Sequence, residues 1–202
     1  MAKRVLHDRY FKQAKREGYL ARSAYKLAEI DDRKRVLRPG DRVLDLGCAP
    51  GSWLQVADQR VGTKGAVVGV DLEPVSPLVP STVRTIVGDF TELSAADMLS
   101  VDGAAFDVVL SDIAPKTSGH GDHFRSVRLC ESILDRTPGL LRPGGRLVMK
   151  VFEGEAMPDL LKYTKTLFAD VSCSKPGASR DISRETYIIA KKYRGGRKED
   201  RS

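Results

Sequence analysis

Seven short apolar runs separated by helix-period stretches predict an α/β protein built on one doubly wound, mostly parallel sheet. Three observations carry this. The runs at 42–46, 66–70, 83–87, 107–110, 146–151, 171–174 and 186–191 are rich in β-branched residues, and most are continuous rather than alternating, as expected of strands covered on both faces. Amphipathic stretches at 51–60, 92–98, 122–137 and 156–168 fill the gaps, and strands alternating with helices of that length give right-handed crossovers. A glycine-containing turn, Asp45-Leu-Gly-Cys-Ala-Pro-Gly51, follows the first strand and opens the next helix, which is where open α/β sheets bind ligands.

The elements follow in order. Residues 19–32 read as a helix with Tyr25, Leu27 and Ile30 as apolar contacts, and Pro39-Gly40 then breaks the chain and starts the sheet. Only residues 175–184 separate the last two strands. Parallel neighbours need a dozen or more connecting residues, so the final pair is expected to be antiparallel. No repeat or linker divides the chain, so residues 1–202 are expected to form one domain with a basic segment at 1–38 and an unstructured basic tail from about 193.

Composition fits this picture. A chain of 202 residues with 41% hydrophobic content is long enough to bury a core. No run is long enough to span a bilayer and no apolar N-terminal segment suggests export, so a cytoplasmic protein without membrane contact is expected. Cys48, Cys130 and Cys173 are odd in number and widely spaced, which argues for free thiols rather than a zinc knuckle or disulfide framework. His120 and His123 in the loop after the fourth strand lack the further ligands of a metal site, so no metal is expected.

The net charge of +7 is uneven. Residues 1–38 hold twelve Lys and Arg against five acids, and Lys191, Lys192, Arg194, Arg197 and Lys198 crowd the other end. Charge runs are usually solvated faces. Two basic ends flanking a middle without basic excess point instead to a polyanionic partner.

The glycine turn departs from the dinucleotide fingerprint Gly-x-Gly-x-x-Gly, since Gly47 and Gly51 are four apart, which favours S-adenosylmethionine over a nicotinamide cofactor. Gly47 permits a tight turn, and the helix start at Gly51–Trp53 offers free N–H groups. Asp71 ends the second strand, where a carboxylate can accept from ribose hydroxyls. Asp89 follows the third strand, placed for an adenine amino group with Phe90 as an apolar wall. Trp53 fits either the core or the cofactor site. Each aspartate alone could be a cap or turn residue. Asp71, Asp89 and Asp112, in succession at strand ends, weigh against that.

Four polar residues complete the pattern: Lys26 in Arg22-Ser-Ala-Tyr-Lys26, Asp112 in Ser111-Asp112-Ile-Ala-Pro115, Lys150 in Met149-Lys150-Val-Phe-Glu153, and Glu185 in Ser183-Arg-Glu185-Thr-Tyr187. A lone strand-end lysine is usually a surface residue with its head in water. Lys150, however, can reach the crevice from a strand end, and a lysine becomes a proton acceptor when burial or a neighbouring cation, here Lys26, lowers its pKa. Asp112 and Glu185 would orient the two amines. With the glycine turn, these stretches resemble the FtsJ-like family of RNA ribose 2′-O-methyltransferases, from about residue 10 to residue 193.

The resemblance implies a Rossmann-like class I methyltransferase fold and an RNA partner. It implies a catalytic tetrad of Lys26, Asp112, Lys150 and Glu185, and cofactor contacts at Gly51, Trp53, Asp71, Asp89 and Asp112. The size resembles that of the members acting on a uridine of large-subunit ribosomal RNA as monomers; relatives modify tRNA anticodon loops or mRNA caps. A base-methylating enzyme is disfavoured because Asp112-Ile-Ala-Pro115 carries no aromatic to stack on a flipped base. A nicotinamide oxidoreductase would have no use for the lysine pair, and a non-catalytic RNA-binding assembly factor would have no need of it.

Overall fold

The computed structural model describes residues 2–99, 103–115, 121–179 and 184–195, with side chains from residue 9 onward. His120, Ser183, Arg197 and Lys198 lie outside the described residues. The strands are β1 (Arg42–Leu46), β2 (Ala66–Asp71), β3 (Arg84–Val87), β4 (Phe106–Ser111), β5 (Leu141–Phe152), β6 (Phe168–Ser174) and β7 (Glu185–Tyr193). They form one sheet in the order β3-β2-β1-β4-β5-β7-β6. Strand β7 pairs antiparallel with both β5 and β6, while β1 to β5 pair in parallel.

Among the described residues six α-helices accompany the sheet: α1 (Ala2–Glu17), α2 (Ala24–Lys34), α3 (Ser52–Val61), α4 (Ala95–Met98), α5 (Asp122–Leu140) and α6 (Met157–Leu167). Both sheet faces are covered, which is why the strands read as unbroken apolar runs. On one face Leu27 and Ile30 of α2 and Trp53, Leu54 and Val56 of α3 meet Val43, Val108, Val148 and Ile189. On the other, Val127, Cys130 and Ile133 of α5 and Leu160 of α6 meet Leu44, Val109, Met149 and Ile188.

Several boundaries differ from the sequence-based expectation. Residues 2–17 form a helix whose strongly basic composition hid its regularity; Tyr10 and Tyr19 set their rings against Tyr25, each pair 5.6 Å apart. Helix α2 begins at Ala24 rather than residue 19, because the chain must first turn out of α1, and Tyr19 N–H closes on Ala14 O. Helix α4 is a single turn, held by a reciprocal capping box between Ser94 and Asp97. Helix α5 runs through Pro138 to Leu140, and the N–H of Leu141 still reaches Thr137 O. Strand β5 starts at Leu141, with the Pro143-Gly144-Gly145 stretch absorbed as an irregularity in its register against β4. Strand β7 begins at Glu185, one residue earlier than expected, so this residue is fixed by sheet pairing to Phe152.

Candidate active site

The C-terminal ends of β1, β2, β3 and β4 enclose a cavity of about 530 Å³ lined by Gly47, Ala49, Asp71, Leu72, Asp89, Phe90, Asp112, Ile113, Ala114 and Leu129 among others. That size suits a nucleoside-bearing molecule. Gly47 makes the floor possible: its φ is 76°, and a Cβ there would lie 2.1 Å from Ile113 Cγ1. Its N–H bonds to Val70 O, which ties the turn to β2. Gly51, at φ 114°, is the N-cap of α3, and a Cβ would strike Val79 at 2.3 Å. The first N–H groups of α3 lack intrahelical acceptors by geometry.

The cavity acids are held by their own loops. Asp71 accepts from the N–H of Ala49 at 2.8 Å and of Glu73 at 2.9 Å, linking β2 to the glycine turn. Asp89 accepts from the hydroxyl and N–H of Thr91 at 2.7 and 2.8 Å, and these bonds hold its carboxyl below the usual range, hence ionised. Gly51 and Trp53 do not line the cavity. The Trp53 ring is buried, donates its indole N–H to Ser23 O at 2.8 Å and packs 5.8 Å from Tyr187.

Lys26, Asp112, Lys150 and Glu185 come together beside this cavity. Lys26 Nζ lies 2.5 Å from Glu185 Oε1, a pair with side-chain exposures of 7% and 11%. Lys150 Nζ lies 3.0 Å from Asp112 Oδ1 and donates to its main-chain oxygen at 2.5 Å. Strand register explains the assembly: Lys150 faces Tyr187 across β5 and β7, and Phe152 faces Glu185, so side chains of one parity share the α2 face. Burial is the largest single influence and disfavours ionisation of Glu185, but the hydrogen bond and charge of Lys26, together with Ser179 and Lys150, outweigh it and hold the carboxyl below its usual range.

Two residues without an expected role belong here. Tyr187 donates its hydroxyl to Asp112 Oδ1 at 2.7 Å, and its ring lies 5.9 Å below Lys26 Nζ, between the two ion pairs. Burial, with the charges of Asp112 and Glu185, pushes its phenol well above the ordinary range, so it stays a donor. Its two-residue spacing from Glu185 in a strand was the available signal. Asp45 is fully buried under α3, and neither carboxylate oxygen has a hydrogen-bond partner among the described residues. Burial first, then Asp112 and Asp71, push its carboxyl well above the usual carboxylate range. The signal was a charged residue inside the apolar run of β1. His123 rests its ring on Gly154 and on Phe124, at 4.1 Å from the latter.

The sequence profile of the FtsJ-like methyltransferases matches residues 19–193, the span that contains all four of these charged residues and every cavity residue. The chain belongs to the FtsJ-like methyltransferase family. Within it, the chain is 50% identical to the ribosomal RNA large subunit methyltransferase E of Syntrophobacter fumaroxidans over 94% of its own length and 98% of the relative's. It is 42% identical to the protein of that name from Methanocaldococcus jannaschii, covering 96% and 81% of the two chains. A crystal structure from Plasmodium falciparum, described as a ribosomal RNA methyltransferase, superposes with a TM-score of 0.76 at 30% identity, covering 88% of this chain and all of that one. Fibrillarin of Aeropyrum pernix, solved with bound S-adenosylmethionine, shares the fold at TM-score 0.57 and 18% identity, over 83% of this chain and 76% of that one. This FtsJ-like protein therefore has the Rossmann-like methyltransferase fold, with β7 as its reversed strand.

Proposed function

We propose that the protein methylates the 2′-hydroxyl of a ribose in RNA, using S-adenosylmethionine, and that its target is a uridine of large-subunit ribosomal RNA. The observation that supports this most is the buried pairing of Lys150 with Asp112 and Lys26 with Glu185 at the rim of a nucleoside-sized cavity to which Asp112 itself belongs. Close relatives bear the name of large-subunit ribosomal RNA methyltransferases.

The cavity residues fit the cofactor: two carboxylates at strand ends, an apolar wall at Phe90, and a floor that tolerates no side chain at Gly47. Asp71 would accept from the ribose hydroxyls and Asp89 from the adenine amino group. Gly51 and Trp53 would contribute through main-chain N–H groups at the start of α3, since the Trp53 ring is committed to the core. When bound, the cofactor would supply an electrophilic methyl carbon on its sulfonium and a neutral thioether as the leaving group. Lys150, having released its own proton to water, receives the proton of the attacking hydroxyl as a neutral amine and so returns to the ammonium that pairs with Asp112. Asp112 aims the Lys150 amine, and Tyr187 fixes Asp112. The Lys26–Glu185 pair places a cation where the ribose and its flanking phosphate would sit. The exposed Lys12, Lys15 and Arg16 of α1 add sequence-independent phosphate contacts.

Incubation with tritiated S-adenosylmethionine and ribosomal RNA or large subunits, followed by nucleoside analysis, tests the reading. Label in 2′-O-methyluridine is expected. Label in a base-methylated nucleoside, or none in any RNA, overturns it.

A further inference from the structure

The basic charge of this protein gathers at two edges of the sheet, not one. Helix α2 carries Lys26 in its first turn, at the reaction centre, and ends with Lys34, after which come Arg35 and Arg38. Strand β7 starts at Glu185 beside Lys26 and, running antiparallel to β5, carries Lys191 and Lys192 away from it; Lys191 pairs across the sheet with Arg146. The Lys191 ammonium donates to the main-chain oxygen of Lys34, fastening the two ends together. From Lys150 to Arg146 is four extended residues, roughly 13 Å, and from Lys26 to Lys34 eight helical residues, about 12 Å. The second cluster is thus displaced from the first by more than a nucleotide's reach.

The local acids are already engaged. Asp41 gives one oxygen to the Arg146 guanidinium at 2.7 Å and the other to the N–H of Arg38 at 2.7 Å. Asp107 likewise takes Arg142 and the N–H of Arg42. Among the described residues no carboxylate lies in ion-pair contact with Lys34, Arg35, Arg38, Lys192 or Arg194. Arg35, Arg38, Lys192 and Arg194 are exposed. Burial and the nearby Lys34, Arg146 and Arg38 cations hold the Lys191 ammonium below the lysine range, although Asp170 acts the other way. A solvated surface intersperses its signs. Here several like charges converge with Asp170, opposite Lys191 in the sheet, as the nearby acid not already engaged, and that excess favours a polyanion whose condensed counterions are released on contact.

We infer that the edge formed by Lys34, Arg35, Arg38, Lys192 and Arg194 is a second RNA-backbone site, which engages a part of the folded substrate remote from the methylated ribose. The choice of RNA as the polyanion rests on the proposed function. The chemistry needs only the first edge, so the second would add affinity for a large folded RNA and select against short ones.

Filter binding of a folded ribosomal RNA domain at several salt concentrations tests this, and it requires no methyl transfer. The variant Arg35→Asn, Arg38→Ser, Lys192→Asn keeps residues tolerant of the left-handed backbone at positions 35 and 192, where φ is 51° and 58°. It should bind at least about tenfold more weakly near physiological salt, with the log–log salt slope reduced by roughly 0.7–0.9 per lost phosphate contact. Cofactor affinity and melting temperature should match wild type. A control variant, Lys64→Ser, Lys162→Ser, Lys165→Ser, removes the same charge from other exposed positions and should keep the wild-type slope. Equal slopes for wild type and the edge variant overturn the proposal, as does an equal loss in the control. If the triple variant melts early, Arg38→Ser and Lys192→Asn singly should each give a fraction of the slope change, and no change in either would overturn the site. Loss of methyl transfer in the wild-type assay, with edge-dependent binding intact, would fault the catalytic reading alone.

Discussion

The cavity beside β1, β2 and β3 takes Asp71 and Asp89 each from one strand end, and each is satisfied by neighbouring loop groups: Asp71 by Ala49 of the glycine turn and by Glu73, Asp89 by Thr91. The quartet beside β5 and β7 is drawn from four distant segments and is satisfied by its own members, lysine against carboxylate. The first arrangement leaves preorganised acceptors facing an open cavity. The second buries charge that is stable only as pairs, since a buried ion without its partner is costly. One side is therefore built to bind, the other to hold proton-bearing groups at fixed positions, and Asp112, which lines the cavity and pairs with Lys150, joins them.

The largest effect should come from breaking the acceptor side without touching its charge. Lys150→Arg retains a cation beside Asp112 but cannot give up its proton at any usable pH. Turnover should fall by about 10²–10⁴-fold, the usual worth of a general base, while calorimetric affinity for S-adenosylmethionine changes little. Turnover near wild type would remove Lys150 from the role of proton acceptor and dissolve the division of labour between the two sides.

A smaller effect should follow on the cofactor side. Asp71→Ala removes the side-chain acceptor at the end of β2, and each hydrogen bond to a charged group lost is worth about 1.5–3 kcal/mol, or roughly 10–150-fold in affinity. Turnover at saturating cofactor should survive far better than in Lys150→Arg. Unchanged affinity in a folded variant would mean that the cavity acids serve only to close their loops.

The two sides were also unequally legible in the sequence. The cofactor turn, Asp71 and Asp89 follow from local rules, because each sits at the end of an apolar run and the topology puts strand ends on one edge. Lys26, Asp112, Lys150 and Glu185 could be placed near a crevice, but which lysine meets which carboxylate depends on the β5–β7 register, and Glu185 proved to lie inside β7. Trp53 was ambiguous for a physical reason: a helix-start position faces the ligand with its backbone and the core with its side chain. The N-terminal helix was missed because its basic side chains mask a regular backbone, and the second basic edge because residues 34–38 meet 191–194 only through a tertiary contact, the Lys191 ammonium on the main-chain oxygen of Lys34.

The smallest expected effect concerns Asp45, the one acid at this edge that belongs to neither arrangement. Its folded-state carboxyl is raised well above the ordinary range, first by burial and then by Asp112 and Asp71. Between the unfolded value of about 3.9 and that raised value the native state binds a proton that the unfolded chain has released, so stability falls as pH rises across the window. Asp45→Asn has no proton to lose and nearly the same shape. The ligand-free variant should therefore melt higher than wild type at pH 8, by about 2–4 °C for each kcal/mol recovered in a chain of this size, and the gap should narrow as pH falls towards 5. Melting curves across that range decide it. A gap independent of pH, or a variant that melts lower throughout, would mean that Asp45 is ionised against a partner, and that the cofactor side holds a charge pair of its own.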